Sequence, residues 1–258
     1  METTRSADGT SIAFDRQGDG PALVLVVGAF CDRATSETLA TLLAPHFTVL
    51  RYDRRGRGSS GDTAPYGVRR EIEDLGAVVA AAGDPAFVFG HSSGAALALE
   101  AVIAGLPVTR LVVYEPPYIV EGTRTRPARL ADRVSQLLVA DEPSEAAELF
   151  LLEGPRTPPE VVTMMKGAPL WSRFEALAHT LPYDLAILGD QRVPAERLAT
   201  IDVPTLVLSG AESPRWAREA VEAVAAALPN REQLVLEGQT HNPADDVLAP
   251  VLTSFLLG

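Results

Sequence analysis

Short apolar runs alternate with helical patterns along most of the 258-residue chain, and this alternation restricts the possible folds more than any other feature. The continuous apolar run at 22–27 is typical of a strand buried on both faces of a sheet. Amphipathic spacing at 70–83 and small apolar residues at 92–105 predict helices between such strands. Strands that alternate with helices predict an α/β fold with a mostly parallel central sheet flanked by helices. The main predicted strands span 22–27, 47–53, 86–90, 110–115, 204–210 and 232–238.

One long segment interrupts the alternation between strands and helices. Residues 118–199 contain helical segments separated by prolines, and they contain few convincing strands. The alternation resumes with the apolar run at 204–210. We therefore predict two parts: a core formed by residues 1–117 and 200–258, and a helical insertion formed by residues 118–199.

The composition indicates an ordinary globular protein, because 47% of the residues are hydrophobic and 22% are charged. The net charge of −12 disfavours nucleic acid and anionic membranes as partners, since both attract clustered Lys and Arg. No apolar run reaches the length of a membrane-spanning helix, and the first ten residues lack the apolar region of a signal peptide. Together with a single cysteine, Cys31, these features predict a cytoplasmic protein.

The segment GHSSG, residues 90–94, joins the predicted strand 86–90 to the predicted helix 92–105. The G-x-S-x-G spacing suits a very sharp turn whose strained backbone points a serine hydroxyl out of the sheet. The N-terminus of the following helix offers N–H groups to a developing oxyanion. The spacing and its context predict Ser92 as a nucleophile, and the alternative is a glycine-rich turn without chemistry.

With this turn, the chain resembles the α/β-hydrolase family over nearly its full length. VVGAF, residues 26–30, is similar to the oxyanion turn of the family, although the family often has His-Gly where this chain has Val-Gly. RRGRGSSG, residues 54–61, is predicted as a flexible turn, and DRRGRGSS, residues 53–60, is similar to the D-x-R-G-x-G-x-S loop of the family. The resemblance implies an oxyanion hole formed by the backbone N–H groups of Ser93 and Ala29, with Phe30 as the alternative to Ala29. It also implies that the helical insertion is a cap over the active site, and it implies no metal or cofactor.

A serine hydroxyl needs a neighbouring base to remove its proton. The chain contains four histidines, at positions 46, 91, 179 and 241. The order along the chain in the family is serine, acid and histidine, which favours His241, after the last predicted strand. Its loop is expected at the C-terminal edge of the sheet, the edge that also carries Ser92. We predict His241 as the general base, and the alternative is a loop histidine that caps the final helix.

The base needs a carboxylate on its second ring nitrogen, but Ser213 occupies the position where the family usually has an aspartate. Glu212 is adjacent to that position and is one residue out of register. A second explanation is a Ser-His dyad or an inactive protein. A third is Glu115, which ends the predicted strand 110–115 and would supply the acid from a different strand.

Glu115 is the acid that we favour. Its strand is expected beside the nucleophile strand, so its C-terminal end would open onto the same cleft. Glutamate has one methylene group more than aspartate, and this extends its reach to a histidine on a neighbouring strand. Pro116 and Pro117 end the strand and fix the backbone behind Glu115. The alternative is a glutamate that pairs with Arg54 or Arg55.

These residues predict a serine hydrolase that cleaves a small, largely apolar carboxylic ester or lactone through an acyl-enzyme. The arginine-rich, lysine-poor composition resembles that of bacteria with GC-rich genomes. Proteins of this kind often act there on secondary metabolites, and by that association deacetylation or ring opening of such a compound is a candidate reaction. Phe30, His91 and Trp171 are predicted to line the substrate pocket. A serine nucleophile argues against haloalkane dehalogenase and epoxide hydrolase chemistry. Acyl transfer, thioester cleavage, C–C bond hydrolysis and a catalytically weak ligand-binding protein are the alternatives, and the sequence indicates no oligomeric state.

Overall fold

The computed structural model describes residues 1–83, 85–123, 127 and 129–258. Within these residues the strands are β1 (Glu2–Arg5), β2 (Ser11–Gln17), β3 (Ala22–Val26), β4 (Thr48–Tyr52), β5 (Ala86–His91), β6 (Val108–Tyr114), β7 (Thr205–Gly210) and β8 (Arg231–Leu236). The α-helices of the same residues are α1 (Glu37–Leu43), α2 (Val68–Ala82), α3 (Ser93–Ile103), α4 (Leu130–Val139), α5 (Pro143–Glu153), α6 (Pro159–Lys166), α7 (Leu170–Leu177), α8 (Leu181–Leu188), α9 (Ala195–Leu198), α10 (Arg215–Ala227) and α11 (Asp245–Leu257).

All of these strands belong to one sheet with the order β1-β2-β4-β3-β5-β6-β7-β8. The strands from β4 to β8 in this order are parallel, whereas β1 pairs antiparallel with β2 and β2 pairs antiparallel with β4. The predicted α/β fold with a mostly parallel sheet is confirmed. Strand β1 is absent from the prediction because its sequence, ETTR, is polar and mostly exposed at the sheet edge.

Apolar side chains of the central strands alternate between two layers of helices. On β3, Val24 and Val26 pack into a cluster with α2, α3 and α10. Leu23 and Leu25 of the same strand pack with α1 and α11 on the opposite face. All four side chains are almost completely buried. Burial on both faces explains why this strand is continuously apolar rather than alternating.

The parallel strands place their C-terminal ends along one edge of the sheet. Strand β5 lies between β3 and β6, and β7 lies on the other side of β6. Segments that are far apart in the sequence therefore follow neighbouring strand ends: Ala29 after β3, Ser92 after β5 and Glu115 after β6. The loop with His241 follows β8 at the same edge.

Helices α4 to α9 lie between β6 and β7, within the predicted helical insertion. The described residues of this segment contain no strand. Its buried apolar residues form a third cluster, which also includes Phe30 of the core. The role of the insertion as a cap stays a prediction. Of the helices in the described part of the chain, none combines the length and the apolar character that a membrane crossing needs.

Candidate active site

Ser92 occupies the turn between β5 and α3 in a strained conformation. Its φ is 56° and its ψ is −124°, a combination that residues with a side chain rarely adopt. The N–H of Ser92 donates to the carbonyl of Tyr114 on β6, with an N···O distance of 2.9 Å. Backbone strain of this kind persists only where the surroundings hold it in place. The neighbouring strand and the buried helix that follows supply that support.

Glycines surround Ser92 because no side chain fits beside the turn. A Cβ atom on Gly94 would lie 2.3 Å from the carbonyl oxygen of Val26, and one on Gly90 would lie 2.7 Å from the backbone of α3. A Cβ atom on Gly28, in the turn after β3, would lie 2.9 Å from the Cβ of Ser92. Real Cβ atoms do not approach other atoms this closely. Close packing therefore explains the G-x-S-x-G spacing and the glycine of the predicted oxyanion turn.

The side chains of His241 and Glu115 form a hydrogen bond, with 2.6 Å between Nδ1 and Oε2. Glu115 directly follows β6, is 1% exposed and has a φ of 46°. Its second carboxylate oxygen accepts the N–H of Gly210, at the end of β7, at 2.8 Å. The structure thus brings together two residues that the sequence analysis predicts as acid and base and that lie on different strand ends.

The charge of Glu115 is maintained although the residue is buried. Burial raises the pKa of the carboxyl group, but the hydrogen bond and the charge of His241 outweigh burial, with help from Ser213 and Gly210. The pKa of Glu115 therefore lies below its ordinary value. A carboxylate accepts a proton at Nδ1 of His241, so Nε2 is left free to act as a base.

The loop that carries His241 is held by hydrogen bonds from two other strands. The hydroxyl of Tyr114 donates to the carbonyl of Thr240 at 2.5 Å. Nε2 of His91 lies 2.7 Å from the carbonyl oxygen of His241, and because a carbonyl only accepts, this nitrogen carries the proton. Burial and the nearby ring of His241 lower the pKa of His91 to about 4, so His91 is neutral. Its predicted contact with substrate stays a prediction.

The hydroxyl of Ser92 lies beside the predicted oxyanion turn, and the residue before Ser92 contacts His241. A Cβ atom on Gly28 would lie 3.4 Å from Oγ of Ser92. The ring of His91, which precedes Ser92, is 4.9 Å from the ring of His241 between centroids. Within the described part of the chain, the Nδ1 of His241 bonds to Glu115 and its carbonyl oxygen bonds to His91. Bonds between a nucleophile and its base commonly tighten only when substrate binds.

The structure does not bring the alternative acid to the histidine. Glu212 is exposed, and its backbone N–H, not its side chain, bonds to the carbonyl of Gln239. Ser213, at the position where the family usually has its acid, is 3% exposed. The two arginines that were alternative partners of Glu115 bind other carboxylates: Arg54 binds Glu71 and Asp184, and Arg55 binds Asp74 and Asp8.

A buried ionic network, which the sequence does not predict, lies beside the turn that carries Ser92. Residues 54–61 are predicted as a flexible turn, but the three arginines of this segment, Arg54, Arg55 and Arg57, are at most 1% exposed. The prediction of a flexible turn is wrong because these cations pair with carboxylates from distant segments, including Asp184 on α8. Within residues 53–61 of the sequence the three arginines are accompanied only by Asp53, so the carboxylates that pair with them are not apparent from the local sequence. Among the described residues, no three or more His, Cys, Asp or Glu side chains are arranged to hold a metal ion.

Two of the predicted pocket residues belong to the apolar cluster of the insertion. Phe30 has a φ of 58° and stacks on Phe174, with ring centroids 4.4 Å apart. Trp171 is 6% exposed, and its Nε1 donates to Oγ of Ser144 at 2.8 Å. Phe30 therefore links the turn after β3 to the insertion. Contact of either residue with substrate stays a prediction.

Several known proteins resemble this chain in sequence or in fold. An alpha/beta hydrolase from Sphaerobacter thermophilus, known from a crystal structure, is 52% identical to this chain in sequence. The two structures match with a TM-score of 0.96 over 99% of this chain and 100% of the other chain. An esterase from a Rhodococcus species shares the fold, with 24% identity and a TM-score of 0.76 over 100% of this chain and 98% of its own. N-formylmaleamate deformylase from Pseudomonas putida is 38% identical over 117 residues, which is 44% of each chain. The match thus spans about half, or less than half, of the length of the curated relatives.

A family model matches most of the chain. The model describes the alpha/beta hydrolase family and covers residues 23–251. This range includes Ser92, the pair of Glu115 and His241, and the whole helical insertion. The chain therefore belongs to the alpha/beta hydrolase family.

Proposed function

We propose that the protein is a serine hydrolase that cleaves a small, largely apolar carboxylic ester or lactone through an acyl-enzyme. The observation that carries this proposal is the hydrogen bond between buried Glu115 and His241, next to a strained Ser92. A buried carboxylate on Nδ1 is the group that turns a histidine into a base of fixed tautomer. The relation to a hydrolase that is 52% identical supports the same reaction class.

The proposed reaction begins with proton transfer from Oγ of Ser92 to Nε2 of His241. Oγ attacks the substrate carbonyl, and the resulting oxyanion accepts the backbone N–H groups of Ala29 and Ser93. Collapse of this intermediate breaks the ester bond, and the leaving alkoxide takes the proton from Nε2. Water, deprotonated by the same nitrogen, then attacks the acyl-enzyme and releases the carboxylic acid with regeneration of Ser92.

Glu115 has two functions in this mechanism. Its carboxylate keeps the proton of neutral His241 on Nδ1, and it stabilises the imidazolium that forms when Nε2 takes up the serine proton. Its second oxygen is held by the N–H of Gly210, so the acid has a fixed orientation. A Ser-His-Glu triad can therefore form although Ser213 replaces the usual aspartate.

Hydrolysis of an N-formyl group is a second candidate function. It is favoured by the 38% identity to N-formylmaleamate deformylase, although that match covers less than half of the chain. The same serine, base and oxyanion donors would serve, because a formamide also passes through a tetrahedral oxyanion. The leaving group would then be an amine or amide nitrogen protonated by His241.

A substrate panel tests the proposal. Wild type and Ser92→Ala are compared on p-nitrophenyl esters of increasing acyl length, on simple lactones and on N-formyl amides, and both are treated with a fluorophosphonate probe. We expect ester turnover and stoichiometric labelling by the wild type, and neither by Ser92→Ala. Preferential turnover of the formyl substrates would favour the second candidate. Absence of Ser92-dependent turnover on all three classes, together with absence of labelling, would overturn the enzyme assignment.

A further inference from the structure

One carboxylate from the helical insertion contacts the residue that follows the nucleophile. Asp184 on α8 is 1% exposed, and its Oδ1 accepts the hydroxyl of Ser93 at 2.7 Å. The same carboxylate accepts Arg54 at 2.7 Å and Arg57 at 2.9 and 2.8 Å. Asp184 therefore has hydrogen bonds to three side chains, one of which belongs to a proposed oxyanion donor.

One of these partners, Arg57, connects Asp184 to the turn after β3. Its guanidinium donates to the carbonyl of Gly28 at 2.5 Å and to the carbonyl of Cys31 at 3.1 Å. Peptide units are planar and trans, so the carbonyl of one residue points away from the N–H of the next. With the Gly28 oxygen bound to Arg57, the N–H of Ala29 must point to the opposite side of that peptide.

Gly28 also lies against the nucleophile. A Cβ atom on Gly28 would lie 2.9 Å from the Cβ of Ser92. The Gly28–Ala29 peptide therefore has Arg57 bound at its carbonyl oxygen, and its Gly28 end packs against Ser92. A cation at the carbonyl oxygen also polarises the peptide, and this makes the N–H of Ala29 a stronger donor.

We propose that Asp184 and Arg57 are positioning residues that align both backbone donors of the oxyanion hole, a role that rests on the proposed serine-hydrolase function. Asp184 orients the Ser93 turn through the Ser93 hydroxyl, and through Arg57 it orients the Gly28–Ala29 peptide. Neither side chain touches the substrate. The two donors come from different strand ends, β3 and β5, and Asp184 is the group that couples them.

The charges of the network fit this role. Burial raises the pKa of Asp184, but Arg57 and Arg54 outweigh burial and lower the pKa below its ordinary value, so Asp184 is ionised. Arg54 also pairs with buried Glu71 at 2.5 Å. The two cations, Arg54 and Arg57, therefore balance the two anions, Glu71 and Asp184.

Three variants test the proposal at increasing severity: Ser93→Ala, Arg57→Lys and Asp184→Asn. Ser93→Ala keeps the backbone N–H and removes only the hydroxyl that binds Asp184. Removal of a whole oxyanion donor costs 10²–10³-fold in kcat, so misalignment should cost roughly 10-fold in Ser93→Ala and roughly 100-fold in Asp184→Asn. KM should change by less than about threefold, because the oxyanion forms only after substrate has bound.

Asp74→Asn is the matched control. Asp74 forms a fully buried ion pair with Arg55, at 2.7 Å to each carboxylate oxygen, without a contact to the oxyanion turn. Loss of either buried pair should lower the melting temperature. Only the Asp184 variant should also lower kcat per active site, with active sites counted by fluorophosphonate titration.

The deciding readout is the inhibition constant of a trifluoromethyl ketone, which adds to the serine hydroxyl and places an oxyanion in the hole. We expect this constant to rise in Ser93→Ala, Arg57→Lys and Asp184→Asn by the same factor by which kcat/KM falls, and to stay constant in Asp74→Asn. The proposal is overturned if folded Ser93→Ala and Arg57→Lys keep wild-type kcat per active site and wild-type inhibition. If the wild type itself shows no Ser92-dependent turnover, the proposed function fails instead, and the two outcomes are therefore distinct.

Discussion

Replacement of Glu115 by glutamine is the substitution whose effect the site geometry predicts in most detail. The amide oxygen of Glu115→Gln can still accept the N–H of Gly210, which lies 2.8 Å from Oε1. The amide nitrogen then faces Nδ1 of His241, where the carboxylate oxygen is 2.6 Å away. An NH₂ group donates and cannot accept, so Nδ1 must become the acceptor and the ring proton moves to Nε2. His241 then presents a proton, and no lone pair, to Ser92.

The expected loss of activity follows from this change of tautomer. Loss of a triad carboxylate with retained geometry costs on the order of 10²–10⁴ in kcat, which corresponds to about 3–5 kcal/mol of transition-state stabilisation. Because Glu115 is only 1% exposed, water cannot replace the carboxylate on Nδ1. We therefore expect a loss of about 10³-fold in kcat in Glu115→Gln.

The assay is the steady-state hydrolysis of a p-nitrophenyl ester by wild type, Glu115→Gln and Glu212→Gln, with melting temperatures measured in parallel. Glu212→Gln is the matched control because Glu212 is exposed and lies in the loop where the family usually has its acid. We expect the control to keep kcat within about twofold, as surface substitutions do. The assignment of the acid is refuted if folded Glu115→Gln stays within about threefold of wild type, or if Glu212→Gln loses activity instead.

Three further predictions concern neighbouring positions. In the Glu115→Gln background, Ser213→Asp places a carboxylate in a buried position beside the lost one. On the same ester kcat should recover by at least about tenfold. A folded double variant without recovery would show that residue 213 does not face His241. Gly28→Ala should lower kcat on the order of 10²-fold, because its Cβ would lie 2.9 Å from the Cβ of Ser92; wild-type kcat would show that the turn is not in contact with the nucleophile. His91 has a pKa of about 4 in the folded protein and about 6.5 when unfolded, so the unfolded state binds more protons between these values and stability falls as the pH drops from about 6.5 to about 4. His91→Gln should flatten this part of the urea-unfolding profile, and an unchanged slope would contradict the lowered pKa.

Local sequence patterns predicted the parts of the site that depend on strand ends. The strand before GHSSG and the helix after it predict Ser92 as the nucleophile, and a parallel sheet places Glu115 and His241 at the same edge. The sequence favours a contact between these two side chains only through the length of the glutamate side chain. Two further determinants are visible only in the structure: Gly210 binds the second carboxylate oxygen of Glu115, and Glu115 has a φ of 46° directly after β6.

The buried ionic network was not predictable from local patterns. Asp184 and Arg54 are 130 positions apart, and nothing in the immediate sequence of either residue signals the other. A run such as DRRGRGSS has the composition of a solvated turn, so its burial depends on carboxylates supplied by α2 and α8. Pairing over such distances is decided by tertiary packing, which neither periodicity nor propensity encodes.

The most direct test of the proposed serine hydrolase is the mass of the covalent intermediate. p-Nitrophenyl pivalate carries a hindered acyl group that slows deacylation, so an acyl-enzyme should accumulate during turnover. We predict a mass increase equal to one pivaloyl group, located by peptide mapping on Ser92 and absent in Ser92→Ala. Turnover without an adduct, or an adduct on another residue such as Cys31, would contradict the proposal.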